Sequence, residues 1–370
     1  MQKTCLPQLV VGGIGRMMAA PGTRGGSADA MGVAVLSACA AWALISAVGR
    51  DARPEGALLA VFAVAAGYAC GRISGALLPV SAAATASLVA LTLAIASPEG
   101  VPGAAAGFAV PPGDTGASAA LLAVSAGAAC CAATASRRPG SRMALWALAH
   151  GVVVTGIFLA SPAGVMASSF VLLCAISAAR ARRRKALLGG CALVPAVVAA
   201  TTWAVAEDVL PEGAAASLRS QLTEYRVALW QDAVALMHDD PVRGAGPDRF
   251  DQLSVTAQQV TGADGKPHSA LFQQAVDQGL VGMALLAMAF GWLLYELWRS
   301  PRPTPVVVCA GAALASLAVL ALLGNALSFA PVTAGAALLA GLASARVTGP
   351  GGGAAAPGRT PSTALDCATR

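Results

Sequence analysis

The chain has 370 residues, of which 56% are hydrophobic and only 11% charged, with 41 glycines and few aromatic side chains. This balance excludes a soluble two-domain enzyme and describes an all-α, polytopic membrane protein. The formal charge of +6 comes from basic residues scattered between apolar segments, which is the signature of membrane topology and not the single basic stripe of a nucleic-acid binder.

Residues 1–28 carry scattered charges and no apolar run of about 7 to 15 residues ending in a cleavage site, so they read as a cytoplasmic leader and not as a signal peptide. A hydrocarbon core takes about 20 apolar residues per helix, and about ten segments meet that need. Seven lie within 29–206, near 31–48, 56–70, 76–97, 117–136, 143–161, 163–179 and 186–206. The second is the shortest, and Pro195 is expected to kink the seventh. Residues 207–269 are too polar to span and form one large loop; apolar segments resume within 270–347, near 270–298, 305–323 and 331–347. The tail, 348–370, is rich in Gly, Ala, Pro, Ser and Thr and reads as disordered.

Lys and Arg concentrate in cytoplasmic loops. The run from Arg180 to Lys185 therefore fixes the connection between the sixth and seventh spans inside, and alternation places Arg72, Arg137, Arg138, Arg142, Arg299, Arg302 and both termini inside with it. The 207–269 loop is then extracytoplasmic. Arg50 and Arg53, in a short outer loop, run against the rule. Of nine cysteines, seven fall in or at the ends of spans, Cys5 and Cys367 fall in the tails, and none in the outer loop. They read as small apolar residues and not as disulfides or a metal site.

The outer loop is patterned. Leu222, Tyr225, Leu229, Ala233 and Leu236 recur at three- and four-residue spacing, which predicts an amphipathic helix ending before Pro241, with Arg226 and Trp230 at the edge of its stripe. A turn follows over Pro241-Val242-Arg243-Gly244-Ala245-Gly246-Pro247-Asp248-Arg249-Phe250 and presents two arginines. Lys266-Pro267-His268-Ser269 leads into the eighth span. That span opens with Gln273, Gln274, Asp277 and Gln278, so its outer end faces protein or a wet cleft and not lipid.

These blocks resemble the O-antigen ligase and polymerase family of bacterial cell-envelope glycan enzymes. The family carries an Arg shortly before a Trp, a Pro-x-x-Gly-x-Gly turn with an aromatic residue after it, and a His-Asn pair opening a helix that runs through Leu-Gln and an acidic residue to Gly-Leu-x-Gly. Arg226 to Trp230, Pro241 to Phe250 and His268 to Gly282 match in order and spacing. Ser269 replaces the usual Asn, and Asp277 the usual Glu. The resemblance implies a glycosyltransferase that moves a glycan from an undecaprenyl-type diphosphate lipid to an acceptor hydroxyl at the outer face of the cell membrane, or polymerises such units, without cofactor or metal.

In that reading His268 is the catalytic base, because an imidazole titrating near neutrality suits removal of a hydroxyl proton. Arg226, then Arg243 and Arg249, bind the donor diphosphate, whose developing charge planar guanidiniums stabilise. Trp230, Gln273 and Asp277 support them. Each has a bland competitor: His268 as an interfacial helix start, Arg243 and Arg249 as partners of the nearby loop acids, and His238 as a helix C-terminal cation. His150, inside a span, reads as a satisfied polar residue. Two other functions stay open: a transporter or flippase for a lipid-linked intermediate, and a catalytically lapsed family member. Donor sugar, acceptor and oligomeric state are not written in the sequence.

Overall fold

The computed structural model describes residues 26–96, 116–178, 183–211, 213, 222–259 and 266–346. Most of the expected leader, the tail 348–370, Cys5, Cys367, Arg180 and Arg182 lie outside them. Every regular element among the described residues is helical. Seven helices precede the loop: α1 (Gly26–Ala47), α2 (Glu55–Leu77), α3 (Pro79–Ala96), α4 (Gly116–Ala135), α5 (Pro139–Phe158), α6 (Pro162–Ala178) and α7 (Arg184–Ala206). The loop holds α8 (Glu224–Asp239) and the short α9 (Phe250–Leu253) and α10 (Val255–Gln259), and after it come α11 (Ala270–Arg299), α12 (Thr304–Leu323) and α13 (Ala330–Ser344).

Eight of these helices are long and apolar enough to cross a membrane, and two shorter apolar ones, α6 and α13, bring the set to the expected ten. Helix α4 is the centre of the bundle. Its Ala-rich sequence is buried on all faces, from Ala119 through Ala133, because small side chains let neighbours close in on every side. Helix α12 packs beside it, with Val306 to Leu317 buried.

The sequence pattern stops near residue 70, yet α2 runs on to Leu77. Arg72 stays inside the helix because its guanidinium meets Asp29 at 3.2 Å and Glu296 at 3.8 Å, and donates to the Ser344 carbonyl. In the same helix, Gly67 and Gly71 lie against the Ala334 and Leu338 carbonyls of α13, and Gly75 against Leu342. A Cβ at any of them would press into backbone, so the four-residue glycine spacing permits direct backbone contact between α2 and α13.

Helix α1 runs antiparallel to α11. Trp292 Nε1 donates to Ala28 O at 3.2 Å near one end, and Trp42 Nε1 donates to Gln278 O at 3.0 Å near the other. The loop helices therefore gather at the end where α1 finishes. Arg72, Arg184, Arg299 and Arg302 gather at the opposite end, where Arg184 donates to the Leu297 and Ser300 carbonyls and Arg302 to Ala345 and Gly75. Those carbonyls lie at helix C-terminal ends, where the guanidiniums supply donors.

Candidate functional site

Helix α8 forms as the spacing predicts. Thr223 caps it by accepting from the Arg226 backbone N–H at 3.4 Å, and Leu229 and Ala233 are fully buried. Trp230 is not at the edge of the stripe; it is fully buried and central. The helix is covered from two directions, by α7 and α11 and by α10, so its apolar arc widens to take in Val227, Trp230, Val234 and Met237. Phe272 stacks on Trp230 at 5.1 Å and on Trp203 of α7 at 5.5 Å. This aromatic column is a second small core beneath the loop, where offset stacking adds to burial.

Trp230 also fixes the approach to His268. Its Nε1 donates to Pro267 O at 2.9 Å. His268 follows at a φ of +49°, a left-handed conformation that strains a non-glycine residue. Ser269 then starts α11, its carbonyl accepting from Gln273 N at 2.9 Å. The Ser269 hydroxyl is buried and makes no cap bond, so the residue standing where the family has Asn opens the helix through its backbone alone.

The two glycine motifs prove to be each other's partners. Inside α11, Gly279 has φ +65° and ψ −160°, which breaks the helix into two rods. Such a break frees backbone groups that must be satisfied at membrane depth. Three contacts do so: Val276 O accepts from Ala245 N at 2.6 Å, Leu280 N donates to Pro241 O at 2.8 Å, and Gln278 O accepts from Trp42. The Pro241–Gly246 turn thus plugs into the break. Gly244, at φ +66°, faces Val276 O and the amides of Gln278 and Gly279 so closely that a Cβ has no room.

The arginines divide. Arg243 donates from one nitrogen to Ile45 O and Val48 O, both at 2.9 Å, and so closes the C-terminal end of α1. Arg249 donates to Ala245 O at 3.2 Å. Arg50, which the sequence offered only as a topological dissenter, donates to the Gly244 carbonyl and pairs with Asp240 at 2.6 Å. The Arg53 backbone donates to Pro247 O at 3.2 Å. Gly246 lies with Arg50 and Arg249 side chains beside it. The Asp240 carboxyl is held below its usual range, first by the Arg243 backbone N–H and then by Arg50.

Arg226 differs from all of these. Burial alone lowers its pKa, and among the described residues its guanidinium makes no hydrogen bond or ion pair. It remains charged at any physiological pH. One helical turn separates it from Trp230, and Trp230 holds the segment that carries His268.

A cavity of about 50 Å³ opens where α11 begins, lined by Asp248, Phe250, Asp251, Lys266, Pro267, Gln273 and Asp277. The Asp277 carboxyl faces the Asp248 backbone and the Gln273 side chain, with Lys266 nearby. The space admits a hydroxyl group and a few waters. Gln273 and Asp277 are thereby brought together beside the Pro267–His268 segment. Among the described residues, no three His, Cys, Asp or Glu side chains have a metal-binding arrangement. His238 stands in the last turn of α8, 3.6 Å from Glu207, and His150 bonds the Trp146 carbonyl within its own helix.

Residues 148–287 match the family model described as O-antigen ligase. The match begins within α5, takes in the loop helices, the Pro241–Gly246 turn, His268 and Gly279 but not the α1 end, Arg50 or Arg53, and ends within α11. It supports an O-antigen ligase assignment and, with it, a membrane glycan-processing function of the ligase or polymerase kind. Comparison with curated proteins and with solved structures yields no match.

Proposed function

With the O-antigen ligase match as premise, we propose that the loop end of this protein transfers a glycan from an undecaprenyl-type diphosphate lipid to an acceptor hydroxyl, or joins such units into a polymer. The observation that carries this reading is Arg226: a desolvated guanidinium with no counter-charge among the described residues, one helical turn from the Trp230 that clamps the segment presenting His268. A diphosphate supplies the missing anion, and a planar fork binds it in bidentate fashion.

The acceptor oxygen attacks the anomeric carbon, the bond from that carbon to the diphosphate breaks, and the proton passes to His268. The lipid diphosphate leaves with the electron pair, and its charge settles on Arg226. Arg249 and Arg243 stand behind Arg226, because each already spends a nitrogen on backbone carbonyls. Their remaining donors border the same turn. Gln273 and Asp277 shape the small cavity that orients the acceptor hydroxyl, and Trp230 holds the strained backbone at His268. Guanidiniums in a low-dielectric site supply the charge stabilisation that this step needs.

Residues 207–269 with the start of α11 form the extracytoplasmic active-site unit, and both termini face the cytoplasm, as the arginines gathered at the far end of the bundle support. Arg226→Lys keeps the charge and loses the fork. We expect donor binding and transfer to fall about 10- to 100-fold while Arg53→Lys, a second outer arginine, stays near the parent. Membranes carrying Arg226→Lys that transfer lipid-linked glycan at the parental rate would remove the assignment.

A further inference from the structure

Helix α5 carries one polar ring on an outward stripe that is otherwise apolar or small. Met143, Ala147, His150, Val154 and Ile157 recur at alternating four- and three-residue spacing and are all exposed, whereas Ala149, Val152 and Gly156 are buried against the bundle. His150 lies near the middle of α5, roughly 16 Å from its start, which is the depth of the hydrocarbon core for a span of this length. Ionisable side chains at that depth normally face the bundle interior or pair with another group. His150 instead points outward.

Its hydrogen bonding is half complete. Nδ1 lies 2.7 Å from the Trp146 carbonyl oxygen. That oxygen can only accept, so Nδ1 carries the proton and donates, and in the neutral ring Nε2 is left as an acceptor. Nε2 is on the far side of the ring from that bond and makes no hydrogen bond among the described residues. Trp146, one turn earlier, has the opposite need. Its indole N–H can only donate, has no partner among the described residues and is not enclosed by them. Hydrocarbon offers neither a donor nor an acceptor, so both groups call for a partner from outside the chain. The neighbouring hydroxyls are already used: Ser141 donates to the Arg138 carbonyl and Thr155 to the Gly151 carbonyl. On the same stripe Ala147 and Gly151 are exposed, and Gly151 has open space around it, which lets a second helix come close.

We propose that the outer face of α5 is a two-fold interface with a second copy of this chain, in which the Trp146 indole N–H of each copy donates to His150 Nε2 of the other. The occupant follows from complementarity. A donor and an acceptor one turn apart on one face satisfy each other when the same face meets itself across a two-fold axis, because each residue then meets the other's counterpart. The offset of four residues, about 6 Å along the helix, is within reach of an indole. Acyl chains bring neither group to this depth, and an unrelated helix would have to carry both at the same spacing. Within the chain α5 packs against α4 and α6, so pairing through its outer face leaves each copy with its own loop and its own candidate site.

The test uses the purified full chain, labelled at its C-terminus with a donor or an acceptor dye and reconstituted into phosphatidylethanolamine–phosphatidylglycerol vesicles. Energy transfer between copies is followed as the protein is diluted with lipid. The parent should pair. Trp146→Phe and His150→Leu should each shift the midpoint to about tenfold higher protein density, with the melting temperature in detergent close to the parent's. In a symmetric pair each single substitution removes both bonds, so the double variant should be no weaker than either single one. Trp146→Phe copies mixed with His150→Leu copies regain one bond, so the mixed pair should form in preference to either variant with itself. Gly151→Ile, which fills open space on the monomer, should abolish pairing. A parent that stays monomeric at every density overturns the proposal. So does a His150→Leu variant that pairs like the parent, or single effects that add in the double variant. None of these readouts depends on glycan transfer, so the interface stands or falls apart from the reaction at the loop end.

Discussion

The Arg50 guanidinium reaches across 190 positions of sequence to close a 2.6 Å ion pair with Asp240, and its second nitrogen donates to the Gly244 carbonyl. One side chain from the short connection between the first two helices thereby grips the turn on which the candidate site is built. The positive-inside rule counts an outer arginine as a cost. On the proposed topology that cost is offset for Arg50, because its charge is paired and its donors are used.

Arg50 is therefore a positioning residue for the turn. Arg50→Gln should leave the protein in the membrane and lower transfer about tenfold, chiefly by misplacing the Gly244–Gly246 backbone. The Asp240 carboxyl lies below its usual range in the folded protein. The pair's contribution is thus fully present above the unfolded value near pH 4 and is lost as pH falls through the lower, folded value. Limited proteolysis of the 240–250 turn should show protection unchanged from pH 7 to about pH 4 and lost below it. Asp240→Asn should loosen the turn already at neutral pH. Equal cleavage of parent and Asp240→Asn at pH 7 would count against the role.

Gly279→Ala tests the docking of turn into helix. The new Cβ meets Val242 O at 2.5 Å and Pro241 O at 2.6 Å, both backbone atoms that cannot swing aside, at a φ of +65° that alanine disfavours. Transfer should be lost. The membrane helices, whose packing lies elsewhere, should still insert. Gly291→Ala, within the same helix and with open space around it, should be tolerated, and the comparison is read by activity beside the yield of folded protein in detergent.

How much of this was legible beforehand follows from distance along the chain. The ten apolar helices, the loop helix with Leu229 and Ala233 inward, and the Arg, turn and His blocks are local patterns, and hydropathy and spacing expose them. Arg72 read as the end of a span because its neutralising partners, Asp29 and Glu296, lie 43 and 224 residues away. Trp230 read as an edge residue because one helix cannot report that two neighbours will cover it. Gly244 and Gly279 were visible as glycines, and that each exists to admit the other was not. Arg50 carried no signal except its breach of the topology rule, and that breach is the clue to follow in such sequences: an outer arginine with no lipid-side reason invites a search for an acidic partner in the large loop.

The sidedness of the whole is open to direct labelling. Val255, in the loop helix α10, is 66% exposed, and Pro301, between α11 and α12, is exposed at the far end. In intact cells a membrane-impermeant maleimide should label Val255→Cys and not Pro301→Cys, with the parent's own thiols as background. After permeabilisation both should react. The reverse pattern inverts the orientation and places the candidate site in the cytoplasm.

His268 carries the last expectation. Its backbone is held at φ +49° between Pro267, which Trp230 clamps, and Ser269, which starts α11, so the imidazole is delivered to one place at some conformational cost. Strain of this kind persists where surrounding structure enforces it, and such sites are commonly functional. His268→Ala should insert and fold, since the clamp acts on the Pro267 carbonyl and not on the imidazole, yet it should lower transfer by about 10² to 10⁴, the range for loss of a general base. His268→Asn separates the two accounts of this residue. Asparagine tolerates the left-handed backbone and so preserves the helix start, but it cannot take up a proton at neutral pH. If the conformation alone mattered, His268→Asn would restore transfer, and the base assignment would fall. If the base matters, His268→Asn stays as slow as His268→Ala while its melting temperature matches the parent.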